Sequence, residues 1–551
     1  MTSGRDRPTV DTEGIGASVG GGSEARASAG RVPRADGSFG EALLAGVRAA
    51  GAQEVLVRGT RRLTGAQVHA AAHALAARLI DHGVRPGDTV ACLYGPHLES
   101  TISRLAAYVL NCPFVYLLPR MPFEDVDRVL RGLRVPVLMV DPTRRRQAEA
   151  LTAGGFGSPC LHLEPWLPDE RPPRLPPLEA ARPEALASVL FSSGTTGDIK
   201  AITYSNQSEA AQFATARGAY GPSPWRFLVA PGPFLPDLMA QWAMATGGTA
   251  ILAEDKNAAT MVDLIHRERP RQCEIGRPVE LYALADHLAV TGSDLGELRL
   301  LLYGGTPVVP ARLAAIVERL PGLLMQNYGS SEAALIATLS PADHRRRELL
   351  GSVGRPVPDM EAKICDPDGT VLPPGRIGQL WVRSAQNMDG YLTFPAGTSS
   401  APVDAGRACG VTHRWPEWIP TGDAGHLDDD GYLFLVGRLA DRLPSGAYPQ
   451  PLENSIGEHP AVIEAAVYAL PDGSTAVAVV PRPGHTPNLA DLRRLLHRSH
   501  PPRTHPRHLQ LVDALPRTPA GKPDRVALRQ LNAIRTPTGG TTRGTPAAEG
   551  D

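Results

Sequence analysis

Val189-Leu190-Phe191-Ser192-Ser193-Gly194-Thr195-Thr196-Gly197-Asp198-Ile199-Lys200 passes from apolar residues into two hydroxyls, a glycine, two more hydroxyls, a second glycine and a lysine. The mostly apolar run from Ala185 to Phe191 reads as a buried strand. Glycines let successive backbone N–H groups turn toward one point and form a concave anion site. Ser192, Ser193, Thr195 and Thr196 add hydroxyl donors, and Lys200 adds a full positive charge. That inventory suits a polyphosphate. It is not a Walker A loop, whose lysine directly follows the second glycine; here Asp198 and Ile199 intervene. Taken alone, such a cluster is more often a plain surface turn, so the flanking sequence has to decide.

Upstream, strand and helix signals alternate. Ser38 to Val57 reads as a short helix and a strand. Thr64 is placed to cap a helix running to about His82, with Val68, Ala71, Ala72, Leu75, Ala76 and Leu79 on one apolar face. Thr89 to Leu93 and Asn111 to Pro119 read as strands, with helices at Leu98 to Leu110 and near Phe123 to Leu133, and Pro136 to Asp141 as a further strand. Such alternation predicts an α/β fold with sheets at its centre. Residues 164 to 184, Pro-rich and charged, read as a surface connection.

Downstream, Arg299 to Tyr303 runs into Gly304-Gly305-Thr306-Pro307, a strand ending in a glycine turn, and ligands of α/β sheets sit beyond such ends. Leu323 to Gln326 leads into Asn327-Tyr328-Gly329-Ser330-Ser331-Glu332, where Glu332 is a natural ligand for Mg²⁺ bridging phosphates. Asp423 suits ribose hydroxyls, with Arg438 as a donor nearby. Lys522 stands on a Pro/Gly-fixed loop, where a lysine is usually only a solvated surface charge.

With 551 residues, the chain is long enough for two or three domains. A formal net charge of −1 gives no electrostatic footprint for nucleic acid or an anionic membrane. No apolar run approaches the roughly 20 residues that span a bilayer. The six cysteines form no CxxC pair, which argues against a disulfide framework or zinc site and suits a reducing cytoplasm. Composition marks residues 1–37 and the Thr/Gly/Pro-rich tail, residues 535–551, as segments without a packed core.

In this order and spacing, these stretches resemble the adenylate-forming superfamily: acyl- and aryl-CoA synthetases, adenylation domains of nonribosomal peptide synthetases, and firefly luciferase. The resemblance covers nearly all of residues 38 to 534. It implies an N-terminal domain (residues 38–440) of two βαβ-type sheets and a small β-barrel. A small mobile α+β domain (residues 441–534) would follow, hinged at Asp441. By the same resemblance, Ser192, Ser193, Gly194, Thr195, Thr196, Gly197 and Lys200 form the phosphate loop. Gly304, Gly305 and Thr306 would pack on adenine. Asn327, Tyr328, Gly329, Ser330 and Ser331 would hold adenine and the α-phosphate. Glu332, with Thr195, would hold Mg²⁺, Asp423 and Arg438 the ribose, and Lys522 the acid and α-phosphate oxygens. The implied chemistry is attack of an acid oxygen on the α-phosphorus of ATP, with Lys522, Glu332 and Ser331 at the reacting centre.

Departures from the family pattern narrow the expectation. Ile199 and Ala201 replace a usual proline and glycine. After Arg438 the segment Leu443 to Glu453 is one residue short and carries three prolines, Pro444, Pro449 and Pro451, which remove N–H donors from the loop lining the thiol tunnel. Adenylation therefore looks intact, whereas transfer to CoA or a carrier-protein thiol is less well supported. Phe234 stands where amino-acid-activating members place an aspartate, which argues against an α-amino acid, although Asp237 lies three residues on. Glu274 and Arg277, in a normally apolar pocket segment, are either a solvated pair at the rim or polar contacts to the substrate. Together these favour a small, aromatic or polar acid over a long fatty chain. Two alternatives stand beside this: a diazotising enzyme that adenylates nitrite for an aryl amine, and a non-catalytic nucleotide-binding homologue, against which Lys522 and Glu332 argue.

Overall fold

Thr64 accepts a hydrogen bond from the Gln67 backbone N–H at 3.2 Å, and Gln67 Oε1 accepts from the Thr64 N–H at 2.9 Å. This capping box starts the helix Gly65–Asp81, whose buried residues include all six apolar positions expected from the spacing. The computed structural model describes residues 38–117, 121–164, 175, 180–193, 199–231, 234–392, 411–413, 417–517 and 522–535. The expected segments 1–37 and 536–551, most of 164–184 and the loop Gly194 to Asp198 lie outside them.

Two large sheets carry the N-terminal part. One has nine strands in the order Arg355–Pro356, Ala334–Leu339, Leu324–Ser330, Leu300–Gly304, Gln272–Gly276, Arg226–Val229, Thr249–Leu252, Glu54–Arg58 and Arg61–Thr64. Its six central strands, from Leu324–Ser330 to Glu54–Arg58, are parallel. The other has eight, in the order Val411–His413, Gly390–Leu392, Ile199–Ser205, Leu186–Ser193, Phe114–Leu117, Val90–Leu93, Leu138–Val140 and Cys160–His162. Central strands are apolar on both faces because helices cover both, as in Val90–Leu93 and Phe114–Leu117, buried at every position. Where a small barrel was expected, Glu361–Cys365, Gly378–Arg383, Ile419–Leu427 and Leu433–Arg438 form a four-stranded antiparallel sheet.

The strand Leu186–Ser193 extends past the apolar run and pairs antiparallel with Ile199–Ser205. A buried network steadies this pair: Arg104 donates to Glu209 Oε1 at 2.6 Å and to the Ala187 carbonyl at 2.8 Å. The Tyr108 and Ser188 hydroxyls also donate to Glu209, at 2.8 and 2.7 Å.

The C-terminal part is a three-stranded sheet, Val462–Ala469, Thr475–Pro481 and His508–Leu511, with the helices Pro449–Gly457, Leu489–Leu496 and Arg525–Arg535. Pro449 and Pro451 do not stiffen an open loop, as the sequence suggested. They open the helix Pro449–Gly457, whose first-turn N–H groups have no intrahelical acceptor to lose. Among the described residues, no buried hydrophobic cluster joins residues before 440 to residues after it. Polar contacts bridge the two parts instead, such as Arg312 Nη1 to the Ile463 carbonyl at 2.7 Å and Arg482 to Asp286 at 3.3 Å. No helix among the described residues is long and apolar enough to cross a membrane.

Candidate active site

The parallel strands Leu300–Gly304 and Leu324–Ser330 run side by side with Gly304 opposite Asn327. A Cβ on Gly304 would stand 2.2 Å from the Asn327 carbonyl oxygen, so only glycine allows this approach. Gly305 follows at φ +80°, turning the chain toward Thr306. Asn327 donates through Nδ2 to the Tyr220 hydroxyl at 2.9 Å, and its Oδ1 is buried with no hydrogen-bond partner. This narrow cradle with an unsatisfied amide oxygen fits a purine carrying an exocyclic amine.

Beyond the strand end, Ser330 Oγ accepts from the N–H groups of Glu332 and Ala333 at 3.3 and 3.1 Å. The Ser331 carbonyl accepts from the Tyr204 hydroxyl at 2.7 Å. These bonds fix the bend from Gly329 to Glu332. Tyr391 donates to Glu332 Oε1 at 3.1 Å, and Lys200 Nζ stands 5.3 Å from the Tyr391 ring centroid. Tyr391 thus links Lys200 to Glu332, a connection with no sequence signal because its strand is far from both. Burial, then the charge of Glu332, holds the Tyr391 phenol well above its ordinary pKa. No group of three or more His, Cys, Asp or Glu side chains gathers as a metal cage among the described residues. One hard carboxylate beside a phosphate site is the usual way Mg²⁺ is held, and Glu332 fits it.

Across the cleft, Asp423 and Arg438 face each other on neighbouring antiparallel strands. Arg438 Nε meets Asp423 Oδ1 at 2.9 Å, and Arg438 Nη1 donates to the Thr421 carbonyl at 2.7 Å. Lys522 is exposed by area. Even so, its ammonium is held below the ordinary lysine pKa, first by the protein displacing water around it and then by the charge of Arg438; Asp423, Glu332 and Asp441 pull the other way. The structure thereby brings Lys522 electrostatically within reach of the carboxylates predicted to share its site. Asp441, the expected hinge, is gripped by Arg525 at 3.3 Å, and Arg525 also holds Glu453 at 2.6 Å. Gly194, Thr195, Thr196 and Gly197 lie outside the described residues; Ser192 and Ser193 end the strand that leads to them.

A cavity of about 280 Å³ is lined by Tyr94, Thr101, Tyr116, Arg144, Val229, Ala230, Leu252, Phe234 and Asp237 among others. Phe234 sits at φ +59°, strained for a residue with a Cβ, and its ring meets Tyr116 edge-on at 5.4 Å. Asp237 is not a free charge for a substrate amine. It is 3 % exposed and accepts hydrogen bonds from the Tyr94 hydroxyl, Thr101 at 2.7 Å, Tyr116 at 3.0 Å and Gln241 at 2.5 Å. Burial raises its pKa, and these four donors work against that rise.

Glu274 and Arg277 do not form a solvated rim pair. Arg277 turns to Glu280 at 2.5 Å, while Glu274 is 8 % exposed with Oε2 unpartnered. Burial pushes Glu274 up to about 7, against Lys256 and the Ala230 and Gly276 N–H groups.

Comparison with known proteins agrees with this geometry. Residues 45–392 match the AMP-binding enzyme family model, and residues 451–522 match the model of the AMP-binding enzyme C-terminal domain. A fatty acid–[acyl-carrier-protein] ligase, ScoC, of Streptomyces coeruleorubidus is 29 % identical, over 85 % of this chain and 91 % of its own. A feruloyl-CoA synthase of an Amycolatopsis species is 30 % identical, over 84 % and 93 %. The amide bond synthetase McbA from Marinactinospora thermotolerans superposes with a TM-score of 0.79 at 35 % identity, over 90 % of this chain and 99 % of its own. On these matches the chain belongs to the AMP-binding enzyme family and is one of its AMP-forming acid ligases.

Proposed function

We propose that this chain uses ATP to adenylate a small or aromatic carboxylic acid, releasing pyrophosphate, and then passes the acyl group to an external nucleophile. What supports the reading is the Asp423–Arg438 pair, with Lys522 in the field of Arg438, Asp423 and Glu332, together with a cavity walled by Tyr94, Tyr116 and Phe234. A cavity of that size and ring content suits an aryl group and leaves little room for a long alkyl chain. In the step itself, a carboxylate oxygen of the acid bonds to the α-phosphorus while the bond to the pyrophosphate oxygen breaks. Such chemistry needs positioning and charge neutralisation more than covalent help. Lys522 offsets charge on the α-phosphate oxygens, Asp423 holds the ribose, and the segment Ser192 to Lys200 holds the departing pyrophosphate. Mg²⁺, when bound at Glu332 with Thr195, supplies further neutralisation of the phosphates.

Two acceptors have support. The activities of the sequence relatives favour a thiol, of CoA or a carrier protein. The likeness to an amide bond synthetase over nearly its whole length, together with the shortened segment after Arg438, favours an amine. Pyrophosphate exchange into ATP across benzoates, cinnamates, short and long fatty acids, amino acids and nitrite tests the first half-reaction. Exchange with aryl acids is expected. Exchange with nitrite alone would move the assignment to diazotisation, and silence on all acids with ATP still bound would leave a nucleotide-binding protein. Mass analysis of products formed with CoA or with an amine then decides the acceptor.

A further inference from the structure

We infer that Glu274 selects the acid, and that the acid it selects carries an N–H donor on its ring system, as an azole or an arylamine does. The inference rests on the adenylation reading and names its substrate class.

Glu274 pairs in register with Val229 on one side and Leu302 on the other. Its strand neighbours Cys273 and Ile275 pack into the core shared with the helices that follow, so alternation turns Glu274 to the opposite face, with Val229 and Leu302. Val229 lines the cavity, as does Leu252 one strand further. Glu274 therefore shares a sheet face with Val229, one strand away from this lining residue. The Ala230 N–H, on a lining residue, donates to the Glu274 backbone carbonyl at 3.1 Å, which fixes the two strands side by side.

The group is buried yet unfinished. Oε2 has no hydrogen-bond partner, and Lys256, the nearest opposing charge, forms no ion pair with it among the described residues. Tyr220, which feels the charge of Glu274, binds Asn327 and packs 6.3 Å from the Trp242 ring, whose Nε1 is also unsatisfied. A buried acceptor left unmet costs about 1–3 kcal/mol, and native structures keep few of them without a reason. An N–H donor entering the cavity would complete it. A second carboxylate would be repelled, so the acid's own carboxylate must face the other way, toward Lys522. Asp237 cannot play this part, because four donors already occupy it.

The test uses the full chain and two matched pairs: indole-2-carboxylate with benzofuran-2-carboxylate, and 3-aminobenzoate with 3-methylbenzoate. Pyrophosphate exchange and calorimetric binding are measured for wild type, Glu274→Gln and Glu274→Met. In at least one pair, wild type is expected to favour the N–H acid by about 10- to 100-fold, chiefly in KM, as befits a hydrogen bond to a charged group. Glu274→Met should bring that ratio near one without weakening the isostere, and Glu274→Gln should lower it about tenfold. A ratio near one in wild type for both pairs, or the wild-type ratio preserved in both variants, overturns the inference. If Glu274→Met does not fold, the wild-type ratio and Glu274→Gln decide. Absence of exchange with every acid would fail the adenylation reading, and calorimetry then decides alone. An N–H preference lost in the variants upholds the role of Glu274; equal binding, or none, overturns it.

Discussion

Tyr328 donates its hydroxyl to Asp423 Oδ2 at 2.5 Å, joining the end of a parallel strand to the four-stranded sheet while Arg438 holds the other carboxylate oxygen. Burial, then the charge of Asp423, holds the Tyr328 phenol well above its ordinary pKa, so it remains a donor. Tyr328→Phe is expected to raise the KM for ATP several-fold with kcat nearly unchanged, as for loss of one hydrogen bond of about 1 kcal/mol. Asp423→Asn, which also breaks the Arg438 pair, should raise it by at least tenfold. Steady-state exchange kinetics against ATP concentration measure both, and a pure kcat effect would assign the pair to chemistry instead.

Lys522→Ala is expected to lower adenylation by about 10²–10³-fold, the loss typical of a positioned charge. Lys522 is exposed, so the melting temperature should hardly move. Near-normal exchange in this variant would remove Lys522 from the reacting centre.

Asp237→Ala orphans two tyrosine hydroxyls, a threonine and a glutamine inside the fold. A buried donor left unmet costs about 1–3 kcal/mol, so denaturant unfolding should show a loss of at least that order. Asp237→Asn, which keeps the shape, should lose less.

Glu209→Ala tests the hairpin that presents the phosphate loop, since it strips Arg104 of its carboxylate. A buried arginine left alone implies about 3–5 kcal/mol lost. Pyrophosphate binding should weaken as well, because Ser188 and Ala187 belong to the strand feeding that loop.

Glu274 makes stability fall as pH rises. Its folded pKa, about 7, lies above the unfolded value of 4.5, so between the two the folded state holds a proton that the unfolded state has released. The charges around it are Lys256 and Glu280, with Tyr220 neutral beside it. Its contribution is complete below pH 4.5 and is lost as pH climbs to about 7, by at most about 3 kcal/mol. Unfolding of Glu274→Gln should show a gain over wild type at pH 8 that is absent at pH 4.5.

Much of the fold was legible because local signals and tertiary outcome agree. Thr64 with Gln67 announces a helix, and the apolar run to Phe191 ends in a hairpin where hydroxyls and glycines begin. Gly304 and Asn327 were readable as a strand-end site. The surroundings of Asp237 were not, because Tyr116 and Tyr94 reach it from 121 and 143 residues away and nothing local marks their partner. Pro449 and Pro451 misled for a different reason. Proline forbids a helix interior but suits a first turn, and only the fold says which position it occupies. Glu274 resembled a surface acid because sequence gives charge without depth.

The separation of hydrophobic clusters near residue 440 bears on how such enzymes diversify. One core lies on the side of the cavity, and others hold the part of the chain that bears Lys522. Recombination at this point can exchange the lysine-bearing module between relatives without reopening either interior. The polar seam at Arg312, Asp286 and their partners, and the packing of Gly457 on Val309, would have to be rematched. Acid preference and acceptor choice are thereby free to be inherited from different ancestors.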